Sequence, residues 1–240
     1  MRIFSMLYSI GSYLFFFAVF LYFMGFVGDL VVTKTLSAEV TVSAMNALIV
    51  NIGLLLLWGV QHSVMARGWF KDMVEPVVPQ PIERSTYVLV SGIVLAVLMH
   101  FWQPMAGIIW QVENPTAINC IWGLFALGWI IVLLSTFLTD HFDLFGLRQS
   151  WLHFVKKTYT PVIFTEVLFY RWIRHPMMLG MFIVFWTIPT MTTGHLVFSI
   201  GMSIYILLGI HFEEKGLAKT LGQNYLDYQQ RTSKVIPKVY

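Results

Sequence analysis

Charge is scarce in this chain: Asp, Glu, Lys and Arg make up 11% of its 240 residues, against about a quarter in a soluble domain. That shortage excludes an ordinary water-exposed surface, because 58% of the residues are hydrophobic. A single cysteine, Cys120, excludes an internal disulfide, and its place in an apolar run reads as small packing. The histidines show no spacing diagnostic of a metal, so no metal site is expected. The net charge is only +3 and the basic residues fall between apolar runs, so nucleic acid is not an expected partner. Internal repeats and low-complexity tracts are absent. No cleavable signal peptide is evident, because run 10–32 is long enough to span and no clean small-residue cleavage pattern follows it.

What the chain does have is long apolar runs and a mean hydropathy of +0.73. Spans need about 20 apolar residues, with shorter ones tolerated. Six runs qualify: 10–32, 44–60, 87–109, 118–138, 177–191 and 196–212. Gln103 and Pro104 lie inside the third, so it ends early or kinks there. "PTMTTGH", residues 189–195, reads as a tight turn and makes the last two runs a short helical hairpin. The expected fold is therefore all-α, a polytopic membrane helix bundle of about six hydrophobic segments. After the hairpin, Leu221, Tyr225 and Tyr228 recur at helical spacing, which predicts a cytoplasmic amphipathic C-terminal helix. We expect one domain, 1–240, comprising a four-span part, 1–138, and a functional part, 139–240.

Fourteen of the 15 Lys and Arg fall on one side of this topology; the other side carries only Lys34. The positive-inside rule then places both termini and the two long loops in the cytoplasm, and the lipid bilayer is an implied partner. No obligate protein partner is evident. Function is expected on the cytoplasmic side, where residues 139–176 and 213–240 are long, polar and aromatic.

The hairpin brings charge to that side at both ends. Pro176 suits the first turn of a helix, leaving Arg174 and His175 just ahead of free N–H groups that favour an anion. Two arms of nearly equal length return Glu213 and Glu214 to the level of His175. Such a mouth suits a zwitterion, its carboxylate at the Arg/His end and its ammonium or hydroxyls at the acidic end. The plain alternative is a cytoplasmic anchor, Arg174, and the start of a solvated tail.

"YRWIRHPMMLG", residues 170–180, followed by "EEKGLAKTLGQNYLDYQQRTSKVIP", residues 213–237, resembles the C-terminal signature of the isoprenylcysteine carboxyl methyltransferase superfamily. "DHFDLFGLRQSW", residues 140–151, with "QHSVMAR", residues 61–67, resembles its methanethiol S-methyltransferase branch. The resemblance implies a bacterial inner-membrane enzyme that uses S-adenosyl-L-methionine, releases S-adenosyl-L-homocysteine and methylates methanethiol to dimethyl sulfide. By position, Tyr170, His175, Pro176 and Met177 match cofactor contacts, Glu213 matches the acidic contact, and Val162, Ile163, Phe164 and Thr165 match a backbone-contacting strip. Arg174, Glu214 and Tyr225 complete the candidate cofactor set. Prenylcysteine enzymes carry an Arg for the substrate carboxylate one helical turn before the Glu. Here that position is Gly209, which argues for a small apolar acceptor. The family's aromatic residue after R-H-P is replaced by Met177.

Methyl transfer to a thiol is aided by a base, because the thiolate is the reactive form. His141 is the candidate base, with Asp140 and Asp143 able to orient or tune it; the opposing reading is a structural loop with helix-capping aspartates. His62, a second choice, joins Gly209 as a candidate substrate contact. Arg148 is either a partner for the cofactor carboxylate or a positive-inside anchor. Two rivals stay open: a methyltransferase for a lipid or prenylcysteine carboxylate, and a non-catalytic membrane protein on the same scaffold.

Overall fold

Every long apolar run folds as helix, though not over the expected lengths. The computed structural model describes residues 2–161 and 165–237. In chain order its elements are α1 (Arg2–Gly28), α2 (Ala44–Met65), α3 (Gly68–Val74), α4 (Gln80–Phe101), β1 (Ile108–Gln111) and α5 (Pro115–Leu138). Then come α6 (His141–Leu144), α7 (Leu147–Phe154), a 3-10 turn (Leu168–Arg171), α8 (Pro176–Trp186), β2 (Thr190–Thr192), α9 (Thr193–Leu221) and α10 (Gln223–Arg231). Helices α1, α2, α4, α5 and α9 are long and apolar enough to cross a membrane. Along α1, Leu7, Leu14 and Leu21 recur every two turns and stand 63%, 58% and 52% exposed. Apolar stripes of that extent need a partner other than water, here lipid. The molecule is a polytopic all-α membrane protein.

Two compact units share the chain. The first holds α1 to α4, α6, α7 and the opening turn of α9; the second holds β1, α5, the 3-10 turn, α8, β2, the rest of α9 and α10. In the first unit α1 packs on α4 and α7, and α2 packs on α4. Buried serines stitch these helices together. Ser85 donates to Ser9 Oγ at 2.7 Å, Ser9 and Ser150 share a hydrogen bond, and Ser150 donates to Pro81 O at 2.7 Å. Small hydroxyl residues allow close helix approach in lipid while satisfying one another.

The third run does not continue as helix to residue 109. Its helix, α4, stops at Phe101, because Pro104 has no N–H to extend the ladder. Buried Asn51 takes over the loose backbone. It donates to Gln103 O at 2.7 Å and accepts from Gln103 N at 2.9 Å.

In the second unit, α5 and α8 approach through glycine. A Cβ on Gly180 would stand 2.7 Å from Gly128 O, and one on Gly128 would stand 2.9 Å from Gly180 O. Helix α8 has 11 residues, about 16 Å at 1.5 Å per residue, and so is too short to span alone. The tight turn expected at 189–195 gives way to an extended segment and the start of α9. Strand β2 pairs antiparallel with β1, matching Ile108 with Thr192 and Gln111 with Thr190, so two short strands satisfy backbone groups that lipid would not. The hairpin is therefore asymmetric. One arm is a short helix plus extended chain, which rises about 3.3 Å per residue; the other is the 29-residue helix α9. The extended stretch makes up the length that α8 lacks, and Glu213 and Glu214 lie on α9 rather than in a tail.

Candidate functional site

Pro176 opens α8 and His175 is its N-cap residue. The main chain just ahead of α8 is strapped to the segment after α10: Arg174 N donates to Ser233 O at 2.9 Å and His175 N to Lys234 O at 3.1 Å. Ile173 and Ser233 form an isolated parallel bridge there.

Side chains converge on Glu214. Arg174 Nε lies 2.6 Å from Glu214 Oε1, the two side chains being 8% and 11% exposed. His175 Nε2 donates to the same oxygen at 3.1 Å, and Lys234 Nζ stands 3.9 Å from Oε2. Arg174 Nη1 also donates to Gln229 O at 3.0 Å and to Thr232 O. A buried ion pair is sustained when its remaining donors and lone pairs are met, and these carbonyls and cations meet them. Glu213 differs: its Oε2 lies 3.6 Å from His175 Nδ1, and its side chain is 50% exposed. Neighbouring glutamates on one helix thus face different surroundings, because successive residues are rotated by about 100°.

Neutral phenols border the cluster. Tyr225 and Tyr228 are 1% exposed, and Tyr228 donates to Tyr170 O at 2.6 Å. Burial pushes the Tyr170 phenol up to about 12, with the nearby Glu213 charge adding to the shift. Burial also raises Tyr225 and Tyr228, helped by Glu214 and Glu166 respectively. At physiological pH all three remain protonated. Cations, carboxylates and phenols so arranged can hold a small molecule that carries both signs of charge.

A second polar cluster lies in the first unit. Asp140 sits at φ 74° and caps α6, accepting from Asp143 N at 3.1 Å. Arg148 donates to Asp143 Oδ1 at 2.9 Å and to Thr160 O at 2.8 Å, and its Nε lies 3.7 Å from Asp140 Oδ2. Tyr159 donates to Asp143 Oδ2 at 3.3 Å. Both aspartates are thus engaged with Arg148. Buried His141 shares a hydrogen bond with another partner: Nε2 and the Tyr13 hydroxyl are 2.9 Å apart, and the ring packs against Phe145 at 4.8 Å between centroids. Burial lowers the His141 pKa, with the Asp140 charge opposing.

The structure brings Arg174, His175, Glu213, Glu214 and Tyr225 together in the second unit, with Tyr170 beside them. His141, Asp140, Asp143 and Arg148 belong to the first. His62, on α2, shares hydrogen bonds with Tyr87 at 2.7 Å and Ser91 at 3.2 Å. Among the described residues, nothing beyond its own stretch of helix lies within 4 Å of where a Gly209 Cβ would stand. Thr165 is exposed, while Val162, Ile163 and Phe164 lie outside the described residues. Sequence reasoning passed over Lys234, Tyr13 and Tyr159. Lys234 carried a usable signal, its place inside the closing S-K-V-I-P of the motif; Tyr13, near the start of the apolar run 10–32, carried none.

A polytopic helical membrane protein with a buried Arg–His–Glu cluster ahead of a short helix is the class that these features define. The chain is 46% identical to methanethiol S-methyltransferase of Mycobacterium tuberculosis, over 98% of this chain and 97% of the relative. It is 44% identical to methanethiol S-methyltransferase of Crocosphaera subtropica, over 98% of this chain and 92% of that one. It therefore belongs to the methanethiol S-methyltransferase family. A more distant likeness, 25% identity over 78% of this chain and 70% of the relative, links it to nurim of Bos taurus. No family model matches the chain, and no solved structure does.

Proposed function

We propose that this chain methylates methanethiol to dimethyl sulfide, with S-adenosyl-L-methionine as donor and S-adenosyl-L-homocysteine as the other product. The observation that supports this reading is the meeting of Arg174, His175 and Glu214, with Glu213 at its edge, in a chain with near full-length relatives named for methanethiol methylation. The donor set suits the cofactor. Its carboxylate calls for a cation, and its ammonium and ribose hydroxyls call for carboxylates. Tyr170, Pro176, Met177 and Tyr225 complete the site in this reading, and residues 139–240 form the cofactor-binding part. When bound, S-adenosylmethionine supplies a methyl group on an electrophilic sulfonium.

The protein's part is to align the thiol sulfur, exclude water and receive the thiol proton. His141 is the proposed acceptor. Its lowered pKa keeps the imidazole neutral, and so able to take a proton, at neutral pH. Asp140 and Asp143 act on it through the charge they share with Arg148. The proton leaves the thiol for His141 and passes to water, while sulfur gains the methyl group. His62 and Gly209 are each proposed as substrate contacts, and the lack of a cation at Gly209 suits an acceptor whose apolar methyl needs none. In this reading the membrane is the bacterial inner membrane and both termini are cytoplasmic, as the distribution of Lys and Arg favours.

Purified protein in detergent should bind S-adenosylhomocysteine. Given methanethiol and S-adenosylmethionine, it should release dimethyl sulfide into the headspace. Binding without that product rules out the acceptor; neither binding nor product rules out the whole reading.

A further inference from the structure

The short helix α7 has two unlike sides. Gln149 and Ser150 are buried, whereas Trp151, Phe154 and Val155 stand 51%, 40% and 36% exposed. The Trp151 and Phe154 rings stack at 5.9 Å between centroids, which joins them into one apolar patch at the last turn. Exposed Lys156 and Lys157 follow directly. Residues 144–165 hold Arg148 and these two lysines but no Asp or Glu, and Arg148 is turned to Asp143 and Thr160.

Hydrogen bonds fix the level of α7 against a span. Ser85 Oγ donates to the carbonyl of Gly146, the residue ahead of α7, at 3.3 Å. One turn further on, Ser150 donates to Pro81 O at 2.7 Å. Helix α7 therefore runs antiparallel to the opening turns of α4 and leaves where α4 begins. Those turns carry Gln80, Glu83 and Arg84, polar residues suited to headgroup depth. The last turn of α7 thus emerges at the edge of the bilayer, where aromatic rings are favoured and cations meet lipid phosphate. Lys156 adds an independent sign. It holds φ 64° at the close of α7, where its N–H donates to His153 O at 3.3 Å and Lys157 N donates to Leu152 O at 2.8 Å. Glycine is the usual residue at such a left-handed helix end, because a Cβ is disfavoured there. Lysine at that position is strained, and it sets a second cation beside Lys157.

We propose that the exposed end of α7 is a docking surface for anionic phospholipid. Trp151, Phe154 and Val155 lie at the boundary of acyl chains and headgroups, and Lys156 and Lys157 take the phosphates. The apolar patch alone suits any lipid; the paired cations, in a stretch without Asp or Glu, select an anionic one. A choline headgroup brings its own cation, whereas a glycerol headgroup leaves the phosphate charge unmatched.

The test uses the full-length protein with Cys120→Ser and with Phe154→Cys carrying a fluorophore. Vesicles contain phosphatidylcholine and phosphatidylglycerol in equal parts, one or the other bearing a nitroxide on its acyl chain, and quenching is read. Both lipids should quench, phosphatidylglycerol more strongly, and added salt should narrow the gap. Each lysine contributes about fivefold at an anionic surface, so Lys156→Gln with Lys157→Gln should remove most of the preference while both lipids still quench. Lys156→Gly should weaken the preference without lowering the thermal midpoint in detergent, because glycine relieves the strained backbone. A lowered midpoint with the preference unchanged would make Lys156 a residue of the fold alone and overturn the proposal. So would no quenching by either lipid, equal quenching by the two in the parent protein, or a preference that survives loss of both lysines.

Discussion

His175 and Glu214 lie 3.1 Å apart, Nε2 to Oε1, and the same carboxylate oxygen takes Arg174 Nε at 2.6 Å. Two residues adjacent in sequence therefore share one acceptor on a helix that begins nearly twenty residues later. Removing that acceptor strands a buried guanidinium. Glu214→Ala should lower stability by about 3–5 kcal/mol, read as chemical or thermal unfolding in detergent. Glu213→Ala, at a half-exposed site, should change stability by less than about 1 kcal/mol while weakening S-adenosylhomocysteine binding. Equal stability losses at the two positions would contradict their different surroundings.

The lowered pKa of His141 has a definite sign in pH space. An unfolded histidine takes its proton near pH 6.5, whereas the folded one waits for a lower pH. Its contribution to stability is therefore full above about 6.5, declines as pH falls below that value, and is gone once the folded pKa is passed. Turnover that needs the neutral ring falls on the same acid side. His141→Phe should reduce kcat by about 10²–10⁴-fold, abolish the acid limb and leave S-adenosylhomocysteine affinity intact. A pH–rate profile with the acid limb preserved in that variant would assign the proton acceptor elsewhere.

Gly180 should tolerate no larger residue. A Cβ there would press on the Gly128 carbonyl at 2.7 Å and on Val132 N at 3.0 Å, and backbone cannot move aside as a side chain can. Gly180→Val should cost about 1–3 kcal/mol by overpacking, seen as a lower thermal midpoint. Because α8 carries the His175 cap, cofactor affinity should fall with it. A variant of wild-type stability would refute the close approach of α5 and α8.

Asn51→Leu keeps the size of the side chain and removes both hydrogen bonds to Gln103. Leaving those backbone groups unmet should cost about 1–3 kcal/mol, measured by thermal unfolding. Hydrogen exchange at Gln103 should accelerate, since its N–H donates to Asn51. Slow exchange preserved in the variant would show that another group holds the end of α4.

The bundle was legible because lipid-facing helices leave long apolar runs, and the meeting of the hairpin's ends was legible because the R-H-P and E-E pairs flank it. Lengths were less legible. Gln103 and Pro104 announced the early end of run 87–109, whose helix stops at Phe101; run 177–191 gave no such notice of a helix that stops at Trp186, because hydropathy does not separate apolar strand from apolar helix. Here Pro104, Asn51 and the pairing of β1 with β2 decide. Conversely, α9 runs on to Leu221, because "EEKGLAKTL" is rich in helix-favouring residues even though its charge reads as the end of a span.

By itself, the amino-acid order determined a membrane-spanning helical protein whose last two apolar arms carry Arg174–His175 at one end and Glu213–Glu214 at the other. Tertiary structure alone decided which carboxylate faces inward, that Arg148 engages both Asp140 and Asp143, and that Lys234 joins the cluster. The reason is rotational and long-range. A helix turns each successive side chain by about 100°, so its neighbours choose between Glu213 and Glu214, and those neighbours include a strap near the chain's end that no local spacing could place.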